Sequence, residues 1–153
     1  MSAWFEFDAP LELLPWKAHT YPILRLPGDL VAAAKVEKTR RIEGTIDGVE
    51  VNLGINRTDV TPDSFIYLGR GQQRRLQVEV GELLSCRLRP VDPDIVPVPQ
   101  DVADALATAG RTAAFERIRP AQRRRMIKPI IDAVRDDTRA TRISALIAAL
   151  DDR

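Results

Sequence analysis

Pro90-Val-Asp-Pro93-Asp-Ile-Val-Pro97-Val-Pro99 is the stretch on which the fold turns. Four of the chain's eleven prolines fall in these ten residues. Proline fixes φ, removes an amide donor and steers the preceding residue away from helix, so residues 91–99 read as a stiff, extended connector. Before it, apolar residues alternate. After it, they recur every three or four positions. The change of period predicts an α+β chain. Residues 1–90 form a small, mainly antiparallel β-barrel, and residues 100–153 form a bundle of three or four short helices.

The clearest element upstream is a hairpin. Arg40-Arg-Ile42-Glu-Gly44-Thr-Ile46 runs into Asp47-Gly48 and out through Val49-Glu-Val51-Asn-Leu53. Asp-Gly suits a two-residue type I′ turn, which needs positive φ at both central positions. That turn sets Ile46 opposite Val49, Gly44 opposite Val51 and Ile42 opposite Leu53. The apolar side chains then share one face, to be buried, and Glu43, Thr45, Glu50 and Asn52 share the other. Further strands are expected at Trp4–Asp8, Phe65–Leu68 and Leu83–Leu88. Tyr21–Leu26 is expected at a sheet edge because of Pro22. A short helix is expected over Asp29–Val36, while 72–80 fits either helix or strand. Two segments repeat the same order: an apolar strand near Ile23 or Ile66, a short polar-apolar piece, then a strand at Arg41–Ile46 or Leu83–Leu88. Two such halves could close a small barrel.

Downstream, Val102, Ala105, Leu106 and Ala109 mark one helix, with Gly110 as its stop. Phe115 and Ile118 mark a second. Pro120 is placed to start a third, carrying Ile127, Ile130, Ile131 and Val134, with a kink expected at Pro129. Asp136-Asp137 offers an N-cap and negative charge for the last helix, through Ile143, Leu146, Ile147 and Leu150.

Composition removes several functional classes. The single cysteine, Cys86, allows no internal disulfide and no cysteine cluster for metal. It lies in an alternating apolar run, which predicts a buried strand position. His19 is the only histidine, so a multi-histidine metal site is excluded. Asp92/Asp94 and Asp136/Asp137 read as linker and helix-cap residues before they read as acid–base pairs. No phosphate-binding glycine motif is present, and Gly69-Arg-Gly71 is a bare loop. No apolar run is long enough for a membrane span and the N-terminus lacks a secretion signal, so a cytoplasmic, non-enzymatic protein without cofactor is expected.

Phe115-Glu-Arg-Ile118-Arg-Pro120-Ala-Gln-Arg123-Arg124 and Asp137-Thr138-Arg139-Ala-Thr-Arg142-Ile143, after the opening Val98-Pro99-Gln-Asp101, carry a resemblance. This part of the chain resembles the YdeI/OmpD-associated, bacteriocin-protection family. Ala121 stands where that family usually has Ser, Pro129 where it has Trp, and Asp137 where it has Glu. Gly44-Thr-Ile-Asp-Gly48 and Val78–Leu88 resemble the small double-split β-barrel domain that often precedes the module. The resemblance implies tolerance to antimicrobial or envelope stress through binding, with no ligand specified.

Charge is unevenly spread. Residues 1–99 hold 12 Lys/Arg against 14 Asp/Glu, whereas residues 100–153 hold 11 against 8. Arg119, Arg123, Arg124, Lys128, Arg139 and Arg142 are therefore candidates for an anionic-ligand surface, since arginine captures phosphate and carboxylate groups bidentately. The competing reading is a solvated face of intrahelical ion pairs. Arg70, Arg74 and Arg75 form a smaller cluster. Two functions follow: a binding protein for an anionic small molecule or a protein partner, or a regulator that binds nucleic acid or nucleotide through the arginine-rich face.

Overall fold

The structure is a computed structural model that describes residues 3–151. The chain is mixed α+β and divides into two compact units between Pro93 and Asp94. In the first unit the strands are β1 (Phe5–Pro10), β2 (Glu12–Trp16), β3 (His19–Arg25), β4 (Arg41–Ile46), β5 (Val49–Gly54), β6 (Asn56–Thr58), β7 (Thr61–Tyr67) and β8 (Leu83–Pro90). Helices α1 (Gly28–Val36) and α2 (Arg70–Leu76) lie between β3 and β4 and between β7 and β8 in the chain.

The ladders form two antiparallel four-stranded sheets, β1-β8-β4-β5 and β2-β3-β7-β6. The antiparallel, strand-rich first unit agrees with the sequence reading, while among the described residues no ladder joins the two sheets into a closed barrel. The edge strands pass from one sheet to the other. β1 runs on into β2 through Leu11, and β5 into β6 through Ile55. The two corners are equivalent. The Leu11 amide donates to the Glu82 carbonyl at 2.9 Å, and the Ile55 amide donates to the Arg40 carbonyl at 2.7 Å. The run β1-β2-β3-α1-β4 thus repeats as β5-β6-β7-α2-β8, and an approximate twofold axis exchanges the halves. It pairs β3 with β7 and β4 with β8, each antiparallel.

Alternation builds the core. Ile42, Ile46 and Val51 of the hairpin meet Leu84, Cys86 and Leu88 of β8, Leu24, Ile66 and Leu68 from the other sheet, and Leu30 of α1. The hairpin register is Ile46–Val49, Gly44–Val51 and Ile42–Leu53, as the sequence predicts. Asp47 and Gly48 both have positive φ, at 48° and 81°. Val49 and Leu53 are only partly buried, because β5 is an edge strand.

Tyr21–Arg25 is interior, not an edge, since β3 lies between β2 and β7. Pro22 is tolerated there because the ladder to β7 begins at Ile23, so no bond in it needs a Pro22 amide. The Pro22 carbonyl still accepts from Leu68 at 3.0 Å. The ambiguous segment 72–80 resolves as helix up to Leu76.

The second unit holds α3 (Gln100–Thr108), α4 (Thr112–Glu116), α5 (Pro120–Ile131) and α6 (Asp136–Asp151). Val102, Leu106, Phe115, Ile127, Ile130, Leu146 and Leu150 form its core, with Val96 and Val98 packed against them. Half of the proline connector is therefore part of this core. Gly110 ends α3 with φ of 67° in a Schellman arrangement, its amide bonded to Ala107 and that of Arg111 to Leu106. Val134 was expected in the apolar stripe but is 74% exposed, because α5 stops at Ile131 and the chain turns before α6. Pro129 lies inside α5, in its last turn. Asp136 and Asp137 lie inside the first turn of α6.

Candidate functional site

The charged side chains of the helical unit separate into those with partners and those without. Arg139 is the most committed. Its guanidinium grips Asp101 with both carboxylate oxygens, at 2.6 and 2.9 Å, and donates a third bond to the Ile130 carbonyl at 3.0 Å. This one side chain of α6 ties the start of α3 to the end of α5. The hydrogen bond from Arg139 holds the Asp101 carboxyl below its usual range, and the same bond raises Arg139. Arg142 donates to the Pro129 carbonyl at 2.6 Å. Arg142 thus caps the Pro129 carbonyl, and Arg139 adds a second donor to the Ile130 carbonyl, which also accepts from the Ala133 amide at 3.2 Å. Lys128 pairs with Asp132 at 2.6 Å, four residues on. Arg135 pairs with Asp137, and Arg111 with Asp151.

Of the six candidates named from sequence, Lys128, Arg139 and Arg142 are thus engaged within the fold. The side chains of Arg119 and Arg123 have no hydrogen-bond or ion-pair partner among the described residues. Arg123 Nε is shielded from solvent and meets no acceptor. Arg124 neighbours it. Burial first, and then the charge of Arg123, pull Arg124 below the usual arginine value, while Asp94 opposes them.

One residue outside the six completes the group. Arg117, at the end of α4, is exposed and also lacks a described partner. Arg117, Arg119 and Gln122 line an open depression of about 560 Å³ where α4 gives way to α5. Ala114 and Ile118 supply its apolar part. Local sequence makes this corner. Pro120 starts α5 and Arg119 takes the extended N-cap position before it, so the chain turns sharply between the two helices. Arg117 and Arg119 flank the half-buried Ile118, which packs on the core. Their position at a helix junction is the signal that the residue count alone did not separate from the rest of the arginines.

The first unit offers less. Arg75 bonds the Glu50 carbonyl at 2.6 Å, so the smaller arginine cluster is partly tied to β5. On the second sheet Tyr21, which packs against the buried Leu14, Ile23 and Phe65, makes ring contacts with Trp16, His19 and Tyr67, 5.9–6.4 Å between centroids. Their planes lie 54–77° apart, so the rings pack edge to face and do not present parallel faces for successive bases. Cys86 is buried on β8, and desolvation pushes its thiol up to about 12. His19 is exposed on β3. Among the described residues no group of three or more His, Cys, Asp or Glu gathers as a metal site, and no helix is long and apolar enough to cross a membrane.

The arginine-rich stretches from Phe115 and from Asp137 place the helical unit among known sequences. Residues 96–153 match the family described as Bacteriocin-protection, YdeI or OmpD-Associated. No curated protein and no solved structure gives a match. Within the matched residues the two arginine stretches have different tasks. Arg139 and Arg142 hold helices together, whereas Arg117 and Arg119 are exposed and, like the half-buried Arg123, have no side-chain partner among the described residues.

Proposed function

We propose that this protein is a non-enzymatic, cytoplasmic binding protein whose helical module captures an anionic group at the corner between α4 and α5. The observation that carries the reading is the pairing pattern. Carboxylates pair with Lys128, Arg111, Arg135 and Arg139, and Arg142 donates to a helix-end carbonyl, whereas the side chains of Arg117, Arg119 and Arg123 have no such partner among the described residues, and Arg117 and Arg119 line one depression. Guanidinium groups with unused donors are suited to phosphate or carboxylate. The family description supports placing this binding in protection against bacteriocins or related envelope stress. The buried, protonated thiol of Cys86 supports binding over nucleophilic chemistry. For the β unit we propose a double-split barrel, supported by the two bent strands that run from one sheet into the other.

The competing reading is a nucleic-acid regulator. Titration with inorganic phosphate at constant ionic strength, followed by backbone amide shifts, tests the first reading. Saturable shifts at Arg117, Arg119 and Arg123 are expected. In parallel, a labelled DNA duplex should bind weakly at physiological salt. Sub-micromolar binding with a steep salt dependence would establish the nucleic-acid reading instead.

A further inference from the structure

We propose that the α4–α5 corner takes a small amphiphilic anion, one whose phosphate or carboxylate is carried on a compact apolar body. The inference rests on the anion-binding reading above and narrows its ligand. Three features of the depression point the same way. Arg117 and Arg119 flank Ile118 in sequence, so two cations border one apolar side chain. Ala114, one turn before Ile118, extends that apolar surface. Gln122 adds an uncharged donor and acceptor at the rim, although its side-chain oxygen already accepts from Arg125 at 3.3 Å. A bare oxyanion would use the arginines and leave Ala114 and Ile118 wet. A ligand with an apolar body covers them and gains by removing that surface from water.

The test compares phenyl phosphate, inorganic phosphate and phenol on the full chain, with amide shifts as the readout. Phenyl phosphate should shift Ala114, Arg117, Ile118, Arg119 and Gln122 and saturate at about one tenth of the concentration inorganic phosphate needs. Phenol alone should leave these residues unmoved. The variant R117Q/R119Q should lose the phenyl phosphate response. Gln122→Glu adds a like charge at the rim without touching the core and should weaken it by about tenfold. Equal potency of inorganic phosphate and phenyl phosphate at these residues would overturn the amphiphile proposal and leave the anion-binding reading standing. No response to either compound would overturn both. Shifts that map elsewhere on the chain would also overturn the proposal.

Discussion

A Cβ built on Gly44 would collide with the Arg87 carbonyl oxygen of the neighbouring strand, and its φ is +144°. Glycine is required there for space and for backbone angle together. Gly44→Ala should lower unfolding free energy by roughly 3 kcal/mol or more, measured by urea denaturation. Gly48 differs: it faces open space, so only its φ of +81° matters. Gly48→Val should lower stability by roughly 1 kcal/mol or more through conformation alone, and an unchanged melting temperature would count against the turn. Lys38 and Gln77 show the converse. Each follows a helix with positive φ, 56° and 57°, where glycine is the usual residue. Lys38→Gly and Gln77→Gly should each raise stability by about 0.5–1 kcal/mol by the same denaturation assay.

Helix ends carry the element-scale predictions. The Asp101 carboxyl is lowered in the folded chain by Arg139, so its contribution is full above the unfolded value near ~3.9. The contribution disappears as pH falls through the lower folded value. Asp101 is half exposed, so the pair is worth only about 0.5–1 kcal/mol after solvent screening. Asp101→Asn should be less stable than wild type at pH 6, and the two should converge as pH falls below the lowered Asp101 value of the folded chain. Pro129 supplies no amide to the Arg125 carbonyl, yet the helix ends two residues later. Pro129→Ala should therefore stabilise by about 1 kcal/mol, less than the full mid-helix penalty, seen as a higher melting temperature. The elements differ in how far they could be read in advance. The β4–β5 hairpin was legible because its turn chemistry and its period agree over Arg41–Gly54. β6 was not, since Asn56-Arg-Thr58 has no apolar residue and is defined by pairing with β7. Pro22 misplaced β3 at an edge because a missing amide signals an edge only where a ladder needs it.

At the scale of the whole chain, the α+β division and the helical module were visible in the change of apolar period. The two-sheet arrangement was not, because bending at Leu11 and Ile55 is a property of what each strand meets. The site was half legible. Composition reveals an arginine excess after residue 100, but which arginines are used up depends on partners such as Asp101 and Arg139, 38 residues apart. Melting in sodium phosphate against sodium chloride at matched ionic strength tests the remaining charge most directly, with R117Q/R119Q as reference. Phosphate stabilises folded chains in general by exclusion, so the variant in the same buffers measures that part. At about ten times its Kd, phosphate should add about 1.4 kcal/mol to wild-type unfolding, roughly 3–5 °C beyond the shift in the variant. An identical phosphate shift in wild type and variant would contradict anion capture at the α4–α5 corner.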